Sequence, residues 1–515
     1  MTAHVSSTTL TDGALVVAGP VRMSRPIGDG GHHRASRAGE GGRVGRLAGL
    51  LAFTLTMAGC SLPLPRMAER SEPKPISAYA TNQSFTAPPA SWPADSWWEG
   101  YGDPQLRQLM DEALANSPTL AVAEARVRRA QAVAQMAHSS LAPQMSANAS
   151  ATEQKQSYNY VTPRGFTPQG WQDYGRASLD LSWEIDFWGR NRAALAAATS
   201  DANAAQADAA QARLSLSTAL ASAYAELARE HAAYDTETAA LNVRIQTADL
   251  FRRRFDNGLE TLGSVRQVEA RRASAEAELL ALSEQLSLQR NRIAALLGAG
   301  PDRGRAITRP TVNLARSFAL PSNLAADLLG RRPDITAARL RAEAARRRID
   351  QAKAAYYPNV NLAALIGVQS LGLDALTHEG SSIGSVGPAI SLPIFNAGRL
   401  RGQLRGAEAD YAEAVASYDR TVVQALQDVA DAGTSQKALG DQLARTAEAV
   451  DAAREAWRVQ NNRYSGGLAT YIEVLTAEDY LLSNLRAQSD LQSRAFTIDV
   501  ALVRALGGGY SVAHP

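Results

Sequence analysis

Apolar and polar residues keep two different periods along this chain. Between Pro143 and Gly189 the period is two: Ala177, Leu179, Leu181, Trp183, Ile185 and Phe187 alternate with Ser178, Asp180, Ser182, Glu184 and Asp186. Met145, Ala147, Ala149 and Ala151 alternate in the same way with Ser146, Asn148, Ser150 and Thr152. Successive side chains of a strand point to opposite faces, so this spacing predicts a β-hairpin over about 144–187. A second hairpin is predicted over about 359–395, where Val360, Leu362, Ala364, Ile366 and Val368 share one face and Val386, Ile390, Leu392 and Ile394 share another. The 11 residues of Ala177–Phe187 have the length of a membrane-crossing strand. A soluble sheet with one wet face gives the same alternation, so periodicity leaves both readings open.

After Gly189 the pattern turns helical. Ala193–Ala212 holds twelve Ala and no Gly or Pro, and helix-forming composition continues to Asp256. The 69 residues of 188–256 predict one helix roughly 100 Å long. A nearly equal helix is predicted over 398–465, with shorter ones over 261–297 and 470–506. Two such helices do not fit a compact domain. Small side chains let helix backbones approach along a seam, which suits an extended bundle.

The chain also repeats itself. Arg254-Phe255-Asp256-Asn257-Gly258-Leu259-Glu260-Thr261 matches Arg463-Tyr464-Ser465-Gly466-Gly467-Leu468-Ala469-Thr470 at an offset of 209, which also carries Gly189-Arg190 onto Gly398-Arg399. Upstream the offset is 215, placing Ser117-Pro118 on Arg332-Pro333 and Pro143 on Pro358, so the first copy holds six extra residues between Pro143 and Gly189. The predicted order is a leader over 1–59, a strap over 60–100, repeat 1 over 101–298, a connector over 299–332, repeat 2 over 333–508 and a tail over 509–515. Two hairpins give four strands per chain, and an open sheet cannot sit in lipid with unpaired edges. A membrane barrel must therefore be shared: two chains would supply about eight strands and three about twelve, and strand counting does not choose between them.

The N-terminus adds an address. Arg43 and Arg46 precede the 12-residue apolar run Leu47–Ala58, too short to span a bilayer but of secretory-signal form. It ends in Met57-Ala58-Gly59-Cys60, which looks like a bacterial lipobox whose cysteine receives lipid. Ser61 at the next position implies delivery to the outer membrane. Seven prolines in Ser61–Pro93 predict an extended strap. Cys60 is the one cysteine of 515 residues, so disulfide frameworks and multi-cysteine metal sites are excluded. The net charge of +2 comes from the leader, which holds six Arg and three acids, and the remainder carries 47 bases against 48 acids. That balance argues against a nucleic-acid binder. The runs Arg252–Arg254 and Arg346–Arg348 read as solvated or ion-paired helix faces. The chain has no H-E-x-x-H, no P-loop, no G-x-G-x-x-G and no metal-ligand spacing among its seven His, so an enzyme is not expected and no cofactor beyond lipid on Cys60 is implied.

Several stretches together resemble one family. They are Trp97-Trp98-Glu99 with Gly102-Asp103-Pro104, Asn116-Ser117-Pro118, Trp183-Glu184-Ile185-Asp186-Phe187-Trp188-Gly189, Leu392-Pro393-Ile394-Phe395-Asn396 with Gly398-Arg399, and the paired R-x-[FY]-x-x-G-[L] turns. With the lipobox and the duplicated hairpin-plus-helix units, this set is similar to the TolC-like outer-membrane efflux protein family, and within it to the NodT-type lipoprotein branch. The resemblance implies an α+β membrane protein: a homotrimer whose twelve-stranded β-barrel crosses the outer membrane and whose long α-helical barrel lies in the periplasm. It implies a passive exit duct for drugs or other solutes, served by a periplasmic adaptor and an inner-membrane pump of the resistance-nodulation-division type. The same fold also serves protein secretion and metal export, and a structural coiled-coil lipoprotein or adaptor is a competing class.

Carried onto this sequence, the adaptor-facing tips are Arg254, Gly258, Leu259, Arg463, Gly467 and Leu468. The family's acidic periplasmic aperture maps onto Glu473, with Ser264 at the equivalent place in repeat 1 and Thr476 where many members carry a further acid. Asp180, Glu184 and Asp186 share the polar strand face and would line the lumen of a barrel. Trp183, Phe187 and Trp188 suit a membrane interface. Labelled palmitate should enter the mature protein and vanish in Cys60→Ala; label persisting in that variant would contradict lipidation at this residue.

Overall fold

The computed structural model describes residues 71–511 apart from 82, 161, 163, 313–319 and 322–323, so the leader, Cys60 and the end of the tail lie outside the described residues. Proline punctuation sets the first elements. Helix α1 (Pro104–Asn116) starts on a proline whose missing N–H is harmless in the first turn, with Asp103 as N-cap. Pro118 holds Ser117 extended at φ −66°, ψ 123°, so the chain breaks there and restarts as α2 (Pro118–Ser139). Arg332-Pro333 does the same in repeat 2, separating the short helix Leu324–Arg331 from α5 (Pro333–Ala354).

The long helices are α3 (Arg190–Asp256) and α6 (Arg399–Ser465), of 67 residues each. Each reverses at a tip into a 35-residue helix, α4 (Leu262–Leu296) and α7 (Tyr471–Ala505). α2 and α5 have 22 residues each, so these three helices agree in length between the repeats, while α1 has 13 residues against 8 in Leu324–Arg331. α3 lies against α2, α4, α5 and α7, and alanines at 197, 202, 204, 207, 221, 223 and 225 are buried along these seams.

Four strands form one antiparallel sheet in chain order: β1 (Gln144–Gln154), β2 (Gln172–Ile185), β3 (Asn359–Leu371) and β4 (Ser382–Ser391). β2 and β3 join the repeats although α3, α4 and α5 intervene. Cross-strand register places Met145, Leu181, Ala364 and Val386 in one row and Ser146, Asp180, Leu365 and Ser385 in the next. One face of the sheet is therefore apolar and the other mostly polar. The strands differ from the periodicity in their ends. β2 begins five residues before Ala177 and stops at Ile185, so Asp186 and Phe187 fall outside it. β4 stops at Ser391, leaving Leu392 and Ile394 beyond it, where Pro393 offers no N–H to a ladder.

The largest core sits midway along the helices. Trp97, Trp98, Tyr101, Leu106, Leu109 and Met110 pack on Leu220, Tyr224 and Leu227 of α3, Ile293 of α4, and Phe496 and Val500 of α7. The strap runs along repeat 2: the Lys74 backbone N–H donates to Asp419 at 3.1 Å, Ile76 and Tyr79 pack near Tyr418 and Val422, and Phe85, Ala87 and Trp92 pack near Leu328 and Val429.

Asp103 ties this core together. Its carboxylate accepts from the backbone N–H of Gln105 (2.9 Å) and Leu106 (3.3 Å), from the Tyr224 hydroxyl (2.8 Å) and from the Thr311 N–H (2.7 Å). Burial pushes the Tyr224 phenol up, so it remains a donor. Asp103→Ala removes the cap and leaves the buried Tyr224 hydroxyl without an acceptor for its proton, though it still accepts from the Gln105 side chain (2.7 Å), and should destabilise the protein by about 2–4 kcal/mol. Thermal unfolding in detergent checks this; an unchanged midpoint would show that Asp103 does not hold the core.

Candidate functional site

The sheet exposes the face that a soluble protein would bury. Met145, Ile366 and Val386 are 72%, 68% and 78% exposed, and Leu179 and Ile390 are also open. Among the described residues no helix covers this face, loop side chains Leu373 and Leu376 reach it only at its end by Gly175, and β1 and β4 present unpaired edges. Large contiguous apolar surface marks a protein or membrane contact. Indole rings lie towards both ends of the band. Trp171 is exposed at the start of β2; at the other end the Trp183 indole donates to the Leu141 carbonyl (3.0 Å), and that of Trp188 to the Pro358 carbonyl (2.9 Å) while stacking on Tyr357.

The opposite face holds Asp180, whose carboxylate accepts from Asn148 (2.8 Å) and the Ser178 hydroxyl (2.8 Å). Glu184 shares this face at the strand's end and pairs with Arg190 at 2.8 Å. Asp186 does not share it. It turns back to cap α3, accepting from the backbone N–H of Asn191 (3.1 Å) and Arg192 (2.8 Å) and from the Arg192 side chain. Burial pulls its carboxyl up, but these donors hold it below the usual range. Alternation put Asp186 with Asp180 and Glu184; the four orphan N–H groups of a helix start drew it away.

The two tips are built alike. Gly258 (φ +73°) and Gly467 (φ +75°) take the left-handed conformation, and the N–H groups of Leu259 and Leu468 donate to the carbonyls of Arg254 and Arg463, each at 2.8 Å. Aromatic packing joins them. Phe251 stacks on Tyr464 at 5.4 Å, Tyr471 tilts against Phe251 at 4.5 Å, and the Arg254 guanidinium lies 4.7 Å above the Tyr464 ring. The Tyr464 hydroxyl donates to Glu260 at 2.8 Å, and burial together with that carboxylate pushes its phenol up. Arg463 donates to the Leu468 carbonyl at 3.2 Å. Thus both arginines brace the tips, while the side chains of Leu259 (65% exposed) and Leu468 (73%) face outward beside Leu262 and Ile472.

Glu473 stands two turns of chain from Gly467 and closes a capping box. Its carboxylate accepts from the Thr470 N–H (2.5 Å) and hydroxyl (2.8 Å), bonds that hold it below the usual range. Ser264 occupies the matching place on α4, its N–H donating to the Thr261 hydroxyl at 3.2 Å. The Thr476 hydroxyl donates back to the Ile472 carbonyl at 2.7 Å. Glu473 and Ser264 thus serve helix starts, whereas Thr476 bonds one turn back within its own helix.

Sequence reading missed the polar ladder that ties α7 to repeat 1. Arg486 bridges Glu237 and Glu278, Arg271 pairs with Asp479 at 3.0 Å, and buried Glu478 accepts from the Thr247 hydroxyl at 3.2 Å with Arg244 at 3.9 Å. Burial pushes the Glu478 carboxyl up. The available signal was an acid inside an apolar stripe: Val474, Glu478, Leu481 and Leu482 share one helix face.

Comparison with known proteins points one way. The profile of the family described as outer membrane efflux protein matches residues 109–299 and 324–508. The chain is 50% identical to the outer membrane protein VceC of Vibrio cholerae, whose crystal structure superposes with a TM-score of 0.78 over 81% of this chain and 100% of that one. It is 36% identical to the fusaric acid resistance protein FusA of Burkholderia cepacia, over 70% of this chain and 68% of that protein. It is 29% identical to the multidrug resistance outer membrane protein MdtP of Escherichia coli K12, over 90% and 96%.

Because the Glu473 carboxyl is held low, its contribution to the α7 start is full above the ordinary glutamate range and fades as pH falls through its lowered value. Amide exchange, corrected for intrinsic rate, should show protection at 470–474 that Glu473→Ala lacks at pH 7; equal protection in both proteins would remove the capping role.

Proposed function

Because this chain belongs to the outer membrane efflux protein family, we propose that it works as a homotrimer in which twelve strands close one barrel across the outer membrane and the helices extend it into the periplasm as a passive exit duct. The observation that carries this reading is the sheet, apolar on one uncovered face and unpaired at both edges. In hydrocarbon those edges must be satisfied by other strands. Three copies of four strands reach the barrel sizes of outer-membrane proteins. α2, which buries none of its residues, supports the same conclusion by offering a second surface for a neighbour. Asp180 and Glu184 then face the lumen.

The protein is an outer-membrane channel of a transport family, not of an enzyme family, and we assign it no catalytic step, metal or cofactor. Covalent lipid on Cys60 anchors it in the manner of the family's lipoprotein branch, and the strap along α6 carries that tether to the body. The exposed leucines at 259 and 468, on tips braced by Arg254, Arg463, Gly258 and Gly467, form the periplasmic end on which an adaptor docks. The α7 start, with Glu473 and Thr476, and Ser264 of α4 border the aperture there. A pump of the resistance-nodulation-division type supplies the energy. The names of FusA and MdtP support drugs and small organic acids as cargo.

Detergent-purified protein should behave as a trimer and give discrete single-channel currents in planar bilayers; a protein that never conducts would sink the duct reading. In cells, Leu259→Asp with Leu468→Asp should restore drug sensitivity while leaving trimer and conductance unchanged. Undiminished resistance would show that the adaptor docks elsewhere.

A further inference from the structure

The barrel reading gives the sheet two ends, and the register of its apolar face shows where hydrocarbon stops. In β1 and β2 the rows Met145–Leu181, Ala147–Leu179 and Ala149–Ala177 carry no polar side chain. Ala151 opposite Gly175 continues them, with Leu373 and Leu376 folded back near Gly175. The next row on this face pairs Glu153 with Asp173, so the apolar band ends there. Trp183 and Trp171, the latter one residue before β2, keep the parity of this face and bracket the band. Their spacing is roughly 40 Å along a strand, and about 28 Å across the bilayer at a tilt of about 45°, close to the hydrocarbon thickness.

The helices leave the sheet at the Trp183 end. The Trp171 end therefore opens to the outside in the barrel reading, and its rim meets the outer leaflet. Two cations stand at that rim. The Lys155 ammonium lies 5.7 Å, and the Arg164 guanidinium 5.5 Å, from the centre of the Tyr158 ring. The Tyr158 hydroxyl accepts the Gly170 N–H at 2.9 Å, which pins that ring. Both cations are exposed, and neither forms an ion pair among the described residues. Asp173, one row nearer the bilayer centre, instead accepts the Leu373 N–H at 2.9 Å. Beside the cations Phe166 is 83% exposed and Trp171 66%. The matching segment of repeat 2, 370–380, has no Lys or Arg and carries Asp374 and Glu379, so this basic aromatic rim belongs to repeat 1 alone.

We propose that this rim binds the phosphorylated glycolipid of the outer leaflet: Lys155 and Arg164 seat a phosphate, Trp171 and Phe166 lie against the sugars, and the acyl chains run down the apolar rows below. The site rests on the barrel reading and adds to it a lipid of stated chemistry. Charge complementarity selects the anion, since two cations gathered about one ring without an acid partner favour a phosphate between them. A guanidinium grips phosphate through paired N–H groups, and an ammonium adds a point charge. The Glu153 and Asp173 carboxylates repel phosphate from the row below and so hold it at the level of the cations. Aromatic rings at a headgroup boundary offer apolar faces to the C–H surfaces of sugars. An ordinary phospholipid has the phosphate without the sugars and meets half of the site.

Native mass spectrometry of the full-length protein in detergent tests this, with bisphosphorylated lipid A as the probe. The unsubstituted protein should bind it saturably, one copy per chain. Lys155→Ala with Arg164→Ala should weaken binding about tenfold or more, as expected when charge-assisted contacts are lost. Lys155→Arg with Arg164→Lys keeps both charges and should bind nearly as well. Phe166→Ala with Trp171→Ala should also weaken binding. Lipid A stripped of its phosphates, and phosphatidylglycerol, should each bind the unsubstituted protein more weakly than intact lipid A, a comparison that needs no variant. Equal affinity for intact and stripped lipid A, or undiminished binding by the doubly alanine-substituted protein, would overturn the site. Phosphatidylglycerol bound as tightly as lipid A would overturn it too, leaving a surface for any anionic lipid. Both alanine variants should remain conducting trimers. A conducting trimer indifferent to phosphate would sink the glycolipid site alone, whereas an unsubstituted protein that is monomeric and never conducts would overturn the barrel reading and the placement of this rim with it.

Discussion

The rest of this molecule follows from the hydrogen-bonding demand of two strand edges. β1 and β4 each carry a row of backbone N–H and C=O groups with no strand partner among the described residues. In water such edges are tolerable; in hydrocarbon each unmet group costs several kcal/mol. A sheet with an apolar uncovered face therefore has to find further strands, and the chain that carries it is incomplete alone. The duplication answers part of that demand within the chain, since the hairpin of one repeat pairs with the hairpin of the other through β2 and β3.

The helices obey a looser rule. Their seams are lined by alanine, and no single core runs their length; the large side chains gather at the middle around Trp97, Tyr101, Tyr224 and Phe496. There Asp103 satisfies a helix start, a buried phenol and a connector amide with one carboxylate. The lengths of the three main helices agree between the repeats, whereas the six-residue difference falls at the hairpin ends, 155–171 against the matching 370–380. Length matters where elements must stay in register along a shared wall. A loop at the end of a hairpin has no such constraint.

At the tips, geometry divides the residues that the motif grouped together. Arg254 and Arg463 are turned into the structure, one over the Tyr464 ring and one onto a carbonyl, while Leu259 and Leu468 point away from it. The glycines were legible from the repeat, because a helix that reverses within a few residues needs a left-handed position. Phe251 and Tyr471 were not, because neither belongs to the repeated motif and their role arises only when the tips meet. Glu473 is similar: the T-x-x-E spacing of a capping box was present in the sequence, and its carboxylate is engaged at the helix start.

By itself the sequence determined the local structure of this protein: strand and helix periods, the proline breaks at Ser117 and Arg332, the tip turns, the two-fold duplication and the likeness to efflux channels. These depend on contacts a few residues long or on repetition that can be counted. The tertiary structure decided which sheet face stays uncovered, and so turned an ambiguous alternation into a membrane wall. It also decided that Asp186 leaves the polar sheet face to cap a helix and that buried Glu478 and Glu237 tie α7 to repeat 1. The Asp186 cap depends on amides five and six residues on, which alternation does not weigh, whereas the Glu478 and Glu237 ties depend on residues more than two hundred positions away, of which periodicity carries no record.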